Sequence, residues 1–139
     1  MTSSIVVSGQ SSVTVGGRED SITAERAVSI AGSQNIVSGT AAAAVSGRGN
    51  KVEALRAASI AGRDNTAQAQ ESCLVAGRYN TIESTANFAA TVSGTVARIT
   101  GFYAATLAGT TSIVSGEGAA AVAGNTNTGS YSLSLPLIV

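Results

Sequence analysis

The chain has no histidine and no tryptophan, one cysteine (Cys73) and one proline (Pro136) among its 139 residues. Without histidine, the usual Ser-His and Cys-His nucleophile pairs and the commonest transition-metal ligand are missing. A lone cysteine gives no intrachain disulfide. Charged residues make up only 12% of the chain and balance at eight basic against eight acidic, so neither a nucleic-acid bias nor a basic arm is present. No apolar run approaches the roughly 20 residues of a membrane span. The start, MTSSIVVSGQ, lacks the charged opening and long apolar stretch of a secretory signal, which favours release without classical secretion. Neither a Gly-Asp calcium repeat nor a phosphate loop with its lysine occurs. The expectation is one non-enzymatic domain with no metal, no cofactor, no nucleic-acid partner and no membrane insertion.

What is abundant is glycine, and it is periodic. Gly17, Gly32, Gly47, Gly62, Gly77, Gly94, Gly109 and Gly124 fall fifteen residues apart, with one interval of seventeen between Gly77 and Gly94. A short fixed period from end to end is the signature of a solenoid. Two residues before each glycine stand Val15, Ile30, Val45, Ile60, Val75, Val92, Leu107 and Val122. Five residues after it stand Ile22, Val37, Val52, Ala67, Ile82, Ile99, Val114 and Gly129. Both columns alternate with small or polar neighbours, the period-two pattern of half-buried strands. Helical repeats are longer and tolerate glycine poorly. The fold expected is therefore all-β, a β-solenoid of about eight fifteen-residue coils with two short strands each. At roughly 4.8 Å per coil, it makes a rod on the order of 40 Å long.

The other columns assign roles. The unbroken column from Val15 to Val122 is expected to be the structural core. Three residues after the glycine, Asn35, Asn50, Asn65 and Asn80 form a turn ladder, since asparagine tolerates left-handed backbone and bonds its own chain. Directly after the glycine, Arg48, Arg63 and Arg78 form a candidate stripe for an anionic glycan or phosphate, or simply a solvated corner. Small residues such as Ser29 and Ala31, Ser59 and Ala61, or Thr91 and Ser93 flank the aliphatic column. They would let another chain approach closely, which suggests a homo-oligomer packed along its length. Cys73 shares a column with Val28, Ala43, Ala58, Ala90, Ala105 and Ala120 and is expected to be a small buried apolar residue.

Repeats such as AASIAGRDNTA, AAVSGRGNKV and CLVAGRYNTI resemble the head repeats of trimeric autotransporter adhesins and related repeats of bacteriophage tail fibres and other virion appendages. The resemblance covers residues 13 to about 129. It implies a left-handed parallel β-roll, a homotrimer and a surface used for attachment. The unit here is one residue longer than is usual in adhesin heads, and no coiled-coil stalk or membrane anchor is seen. The absence of stalk and anchor favours a structural protein of a bacteriophage virion, a short fibre, spike or decoration protein that presents a rigid surface to host glycan. A bacterial adhesin head or extracellular fibre subunit, at the cell surface rather than in a virion, is the alternative.

The irregular parts subdivide the chain. Residues 1–12 contain IVVSG, which looks like a half coil that caps the roll spanning 13–131. Residues 132–139 form an apolar strand, expected to pair with another copy or another virion protein, or to cap its own roll. The seventeen-residue coil gains residues between Thr85 and Ala89 and brings Phe88 and Tyr103 to one edge, either as a sugar-stacking patch or as filler with Phe102. Glu53 and Glu83 share a column two coils apart, roughly 10 Å, a spacing used by inverting glycosidases. Gln68 stands between them, and the sequence offers no cleft.

Overall fold

A computed structural model of the chain describes residues 5–44, 46–59, 61–92, 94–107, 109–121 and 124–130. Val45, Ile60 and Val122 of the aliphatic column, and the C-terminal segment 132–139, lie outside the described residues. The described chain is a β-solenoid of about eight turns without a helix, its strands paired in parallel into one nine-stranded and one eight-stranded sheet. The first sheet runs through Val6–Val7, Ser21–Ile22, Ile36–Val37, Lys51–Val52, Thr66–Ala67, Thr81–Ile82, Val96–Ile99, Thr111–Val114 and Thr126–Gly129. The second runs through Val13–Thr14, Val28–Ser29, Ala43–Ala44, Ala58–Ser59, Cys73–Leu74, Ala90–Thr91, Ala105–Thr106 and Ala120–Ala121. Each residue pairs with the one fifteen positions on, as Val37 does with Val52, until the long coil shifts the step so that Ile82 pairs with Ile99.

The interior is one side chain wide, and volume decides what enters it. From the first sheet, Ile22, Val37, Val52, Ala67, Ile82, Ile99 and Val114 point inward, each fully buried. The second sheet answers with Ser29, Ala44, Ser59, Leu74, Thr91, Thr106 and Ala121, also buried. Within a coil the two columns complement each other in size. Wherever the first sheet supplies isoleucine or valine, the second supplies serine, alanine or threonine, and where the first supplies Ala67 the second supplies Leu74. A buried alanine column, Ala27, Ala42, Ala57, Ala89, Ala104 and Ala119, with Ser72 in its fifteen-residue step, closes the far corner.

This corrects the expected core. Val15, Ile30, Val92 and Leu107 lie on the outer surface of the second sheet, Val15 59% and Leu107 51% exposed, and Val75 is half-buried there. On a pleated strand, adjacent residues face opposite ways, so the choice between neighbouring columns reverses every side chain. The narrow lumen takes the small column, Ser29 and its equivalents, and excludes the large one. Ser29, Ser59 and Thr91, expected on an outer face, are inside. Cys73, expected to be interior, is half-buried on the same outer face as Val75.

Two kinds of coil follow one another. In the first five, Gly17 to Gly77 hold positive φ and the next residues, Arg18, Ser33, Arg48, Arg63 and Arg78, form isolated parallel bridges. A side chain at Gly47 would collide with the Gly62 carbonyl of the next coil. Glu19, Gln34, Gly49, Asp64 and Tyr79 then take left-handed backbone, and a buried Asp or Asn follows. In the last three coils this corner is absorbed into four-residue strands beginning at Val96, Thr111 and Thr126. Those residues are β-branched, and such residues are genuine outliers at positive φ.

The seventeen-residue coil lies at the junction. Ile82 still pairs with Ala67 fifteen residues back, whereas Phe88 N–H donates to the Gln70 carbonyl, eighteen back, where Glu71 bonds Leu55, sixteen back. The extra pair is therefore Ser84–Thr85, the centre of a tight turn closed by Ala86 N–H on the Glu83 carbonyl at 2.9 Å, which overlaps the expected stretch from Thr85 to Ala89 only at Thr85.

Size complementarity is directly testable. Ala67→Val should overpack and cost about 1–3 kcal/mol, and Leu74→Ala should leave a cavity and cost about 2–5 kcal/mol. The double variant should be less destabilised than the sum of the two, a coupling visible in thermal or denaturant unfolding. Strict additivity would show that the two residues do not share one space.

Candidate functional site

The asparagine ladder is the strongest side-chain constellation. Asn35 N–H donates to Asp20 Oδ1 at 2.9 Å, Asn50 N–H to Asn35 Oδ1 at 3.1 Å, Asn65 N–H to Asn50 Oδ1 at 3.2 Å, and Asn80 N–H to Asn65 Oδ1 at 3.0 Å. Ala97 N–H ends it on Asn80 Oδ1 at 2.9 Å. The side-chain amides donate onward to the next glycine carbonyl, Asn50 to Gly62 at 3.3 Å and Asn65 to Gly77 at 3.2 Å. All four asparagines are fully buried, so their hydrogen bonds replace solvent and each loss leaves an unpaired polar group. Asp20, buried at the head of the ladder, also accepts from Ser29 Oγ at 3.3 Å.

The arginine row is real in the backbone. Arg48, Arg63 and Arg78 stand on consecutive coils, joined by parallel bridges. Tyr79, which the sequence reading did not single out, brings two of them together: its ring centre lies 5.8 Å from the Arg63 guanidinium carbon and 5.6 Å from that of Arg78, within cation–π range. Arg63 also faces Asp64 at 3.6 Å. The basic residues on the first sheet and the opposite corner are mostly neutralised. Lys51 pairs with Glu53 at 2.6 Å, Arg56 with Glu71 at 2.8 Å and Arg98 with Glu83 at 2.9 Å.

Phe88, Phe102 and Tyr103 converge at the corner opposite the arginine row. Phe88 and Tyr103 stack with ring centres 5.1 Å apart and planes 17° from parallel. Phe102 meets both edge-on, at 5.7 and 4.4 Å. Phe88 and Tyr103 remain 44% and 57% exposed, more than a purely gap-filling role requires.

Both carboxylates of the Glu53–Glu83 column are held by a basic neighbour, Lys51 at 2.6 Å and Arg98 at 2.9 Å. The Lys51 contact, joined by a 2.9 Å bond from Gln68 Nε2, holds the Glu53 carboxyl below its ordinary range. A general acid needs the opposite shift. The Cys73 thiol is pushed up by burial. Among the described residues, no three His, Cys, Asp or Glu side chains converge on a point, and no helix is long and apolar enough to cross a membrane.

The two sheets differ outside. The first mixes Lys51, Glu53, Gln68 and Arg98 with exposed Val6, Ile36, Val96 and Ile113. On the second, the described outward residues are Val13, Val28, Ala43, Ala58, Cys73, Ala90, Ala105 and Ala120, beside Val15, Ile30, Val75, Val92 and Leu107. No charge interrupts this stripe.

The lowered Glu53 pKa fixes a sign. A carboxyl depressed in the folded state adds stability above its unfolded pKa and loses it as pH falls through the folded one. Lys51→Met should raise the Glu53 titration toward that of an ordinary glutamate, as read by carboxyl NMR. Because the pair is exposed, it should cost less than about 1 kcal/mol at neutral pH, and that difference should vanish in acid. An unmoved titration would assign the shift elsewhere.

Comparison with protein-family models and with curated protein sequences finds no match to this chain.

Proposed function

We propose that the chain is a structural protein of a bacteriophage virion, a short fibre, spike or decoration protein, built as a homotrimer of left-handed rolls that presents a rigid surface for host-glycan attachment. The observation that carries the assembly is the uncharged stripe on the second sheet. Large aliphatic side chains recur there in every coil whose residue is described, along the length of the rod, whereas on the first sheet exposed Val6, Ile36, Val96 and Ile113 are interrupted by Lys51 and Arg98. A contiguous apolar face of this kind marks an interaction surface. Its period equals that of the coil, so a second copy lying parallel offers the same spacing, whereas an unrelated globular partner does not.

The stripe is flanked by Gly16, Ala31, Ser46, Ala61 and Ala76, small enough for a neighbouring sheet to come close. The resemblance of the Gly-Arg-x-Asn coils to virion-appendage repeats supports the virion reading. So does the stiffness conferred by stacked, hydrogen-bonded coils.

Sedimentation equilibrium at micromolar concentration should give three times the 13.6 kDa chain mass. Val92→Asp and Leu107→Asp should yield folded monomers, because the charge is buried only in the assembly. Ile113→Asp, on the outside of the first sheet, should remain trimeric. A monomeric wild-type chain contradicts the assembly. Mass spectrometry of purified phage particles encoded beside the gene checks the location, and absence from them contradicts it.

A further inference from the structure

At the corner after the first sheet, each coil turns through two residues, the second in left-handed backbone. That position is occupied in successive coils by Ser11, Arg26, Ala41, Arg56, Glu71, Phe88, Tyr103 and Gly118, with φ between 55° and 65°. Backbone bonds hold the last coils in register: Tyr103 N–H donates to the Asn87 carbonyl at 3.1 Å and Gly118 N–H to the Phe102 carbonyl at 2.8 Å. The Phe88 and Tyr103 rings follow this register, parallel within 17°. Phe102 props them edge-on.

The stack then stops. The next position is Gly118, and among the described residues a Cβ there meets no atom within 4 Å. The face of Tyr103 turned away from Phe88 looks toward that open level, and the residue is 57% exposed. We infer that this face of Tyr103 is a binding platform for the ring of a neutral pyranose, seated where a third stacked side chain would lie above Gly118.

A pyranose has one apolar face of C–H groups and a rim of hydroxyls, so it packs flat on an aromatic ring and needs polar groups only at its edge. Glu117, exposed at the same level, supplies a carboxylate to accept from those hydroxyls. The same negative charge disfavours uronic acids and sulfated or phosphorylated sugars. Asn87 Oδ1 is taken by Gln70 N–H at 3.0 Å, which fixes the corner below the rings. The inference deepens the host-glycan part of the proposed function and rests on it for its biological sense, whereas binding itself is measured independently.

The probes are methyl mannoside, methyl galactoside, N-acetylglucosamine and their short oligomers, titrated into the full chain. Aromatic NMR and saturation transfer provide the readout. At least one should move the Tyr103 and Phe88 ring resonances and leave those of Tyr79 in place. Tyr103→Ala should weaken that binding at least about tenfold. Gly118→Tyr should do the same by occupying the open level, and this corner already accepts side chains at that φ. Arg78→Ala should have no effect. Circular dichroism verifies folding, and if Gly118→Tyr does not fold, Tyr103→Ala decides. The inference is overturned if none of these sugars perturbs Tyr103, if binding survives its replacement, or if a folded Gly118→Tyr chain binds as well as wild type. Any of these with trimer and particle incorporation intact removes the site and leaves the structural role standing.

Discussion

A lumen only one side chain wide governs this molecule. Two parallel sheets, each built from coils stacked at strand spacing, enclose a strip that accepts one aliphatic and one small residue per coil from their facing strands. The first sheet fills most of it, with Ile22, Val37, Val52, Ile82, Ile99 and Val114. The second is left with Ser29, Ala44, Ser59, Thr91, Thr106 and Ala121 inside, and must carry its own large residues outside. Leu74 enters only where Ala67 makes room. The apolar outer stripe is thus a consequence of how little the interior holds, and it turns a repeat that folds by self-stacking into one suited to side-by-side packing.

Stacking needs more than apolar contact, because each coil must stay in register with the next. The buried asparagine ladder supplies that through five coils, tying each backbone N–H to the side chain below and each amide to a glycine carbonyl above. Once Asn gives way to Ala97 and Ser112, the same segment becomes four-residue strands, and the ladder of main-chain bonds replaces the side-chain one. The two-residue turn at Ser84–Thr85 lies where these regimes meet. Beside it, the opposite corner gathers Phe88, Phe102 and Tyr103.

The fifteen-residue period, the parallel stacking and the inward column from Ile22 to Val114 were legible because glycine and β-branched residues recur without ambiguity. The side of the second sheet was not. Hydrophobicity pointed to Val15, Ile30 and Leu107 as interior, but strand alternation leaves the facing undetermined until the lumen width is known. Ala67 followed by Leu74 was the available signal, since a large residue in the small column beside a small one in the large column implies facing partners. The two coil types were also written in the sequence, where Val96, Thr111 and Thr126 replace residues that accept left-handed backbone. Tyr79 escaped notice because its column looks featureless without the bridges that bring Arg63 and Arg78 beside it.

The central claim is that the large aliphatic column faces another copy of the chain while the small column fills the lumen. An isotope-filtered NOE experiment on a mixture of labelled and unlabelled chains tests it directly. The account predicts intermolecular contacts to the methyl groups of Val15, Ile30, Val92 and Leu107, and none to those of Ile22, Ile82, Ile99 and Val114. Contacts within one chain between Leu107 and Ile99 or Val114, with no intermolecular signal, would place the large column in the lumen and contradict it.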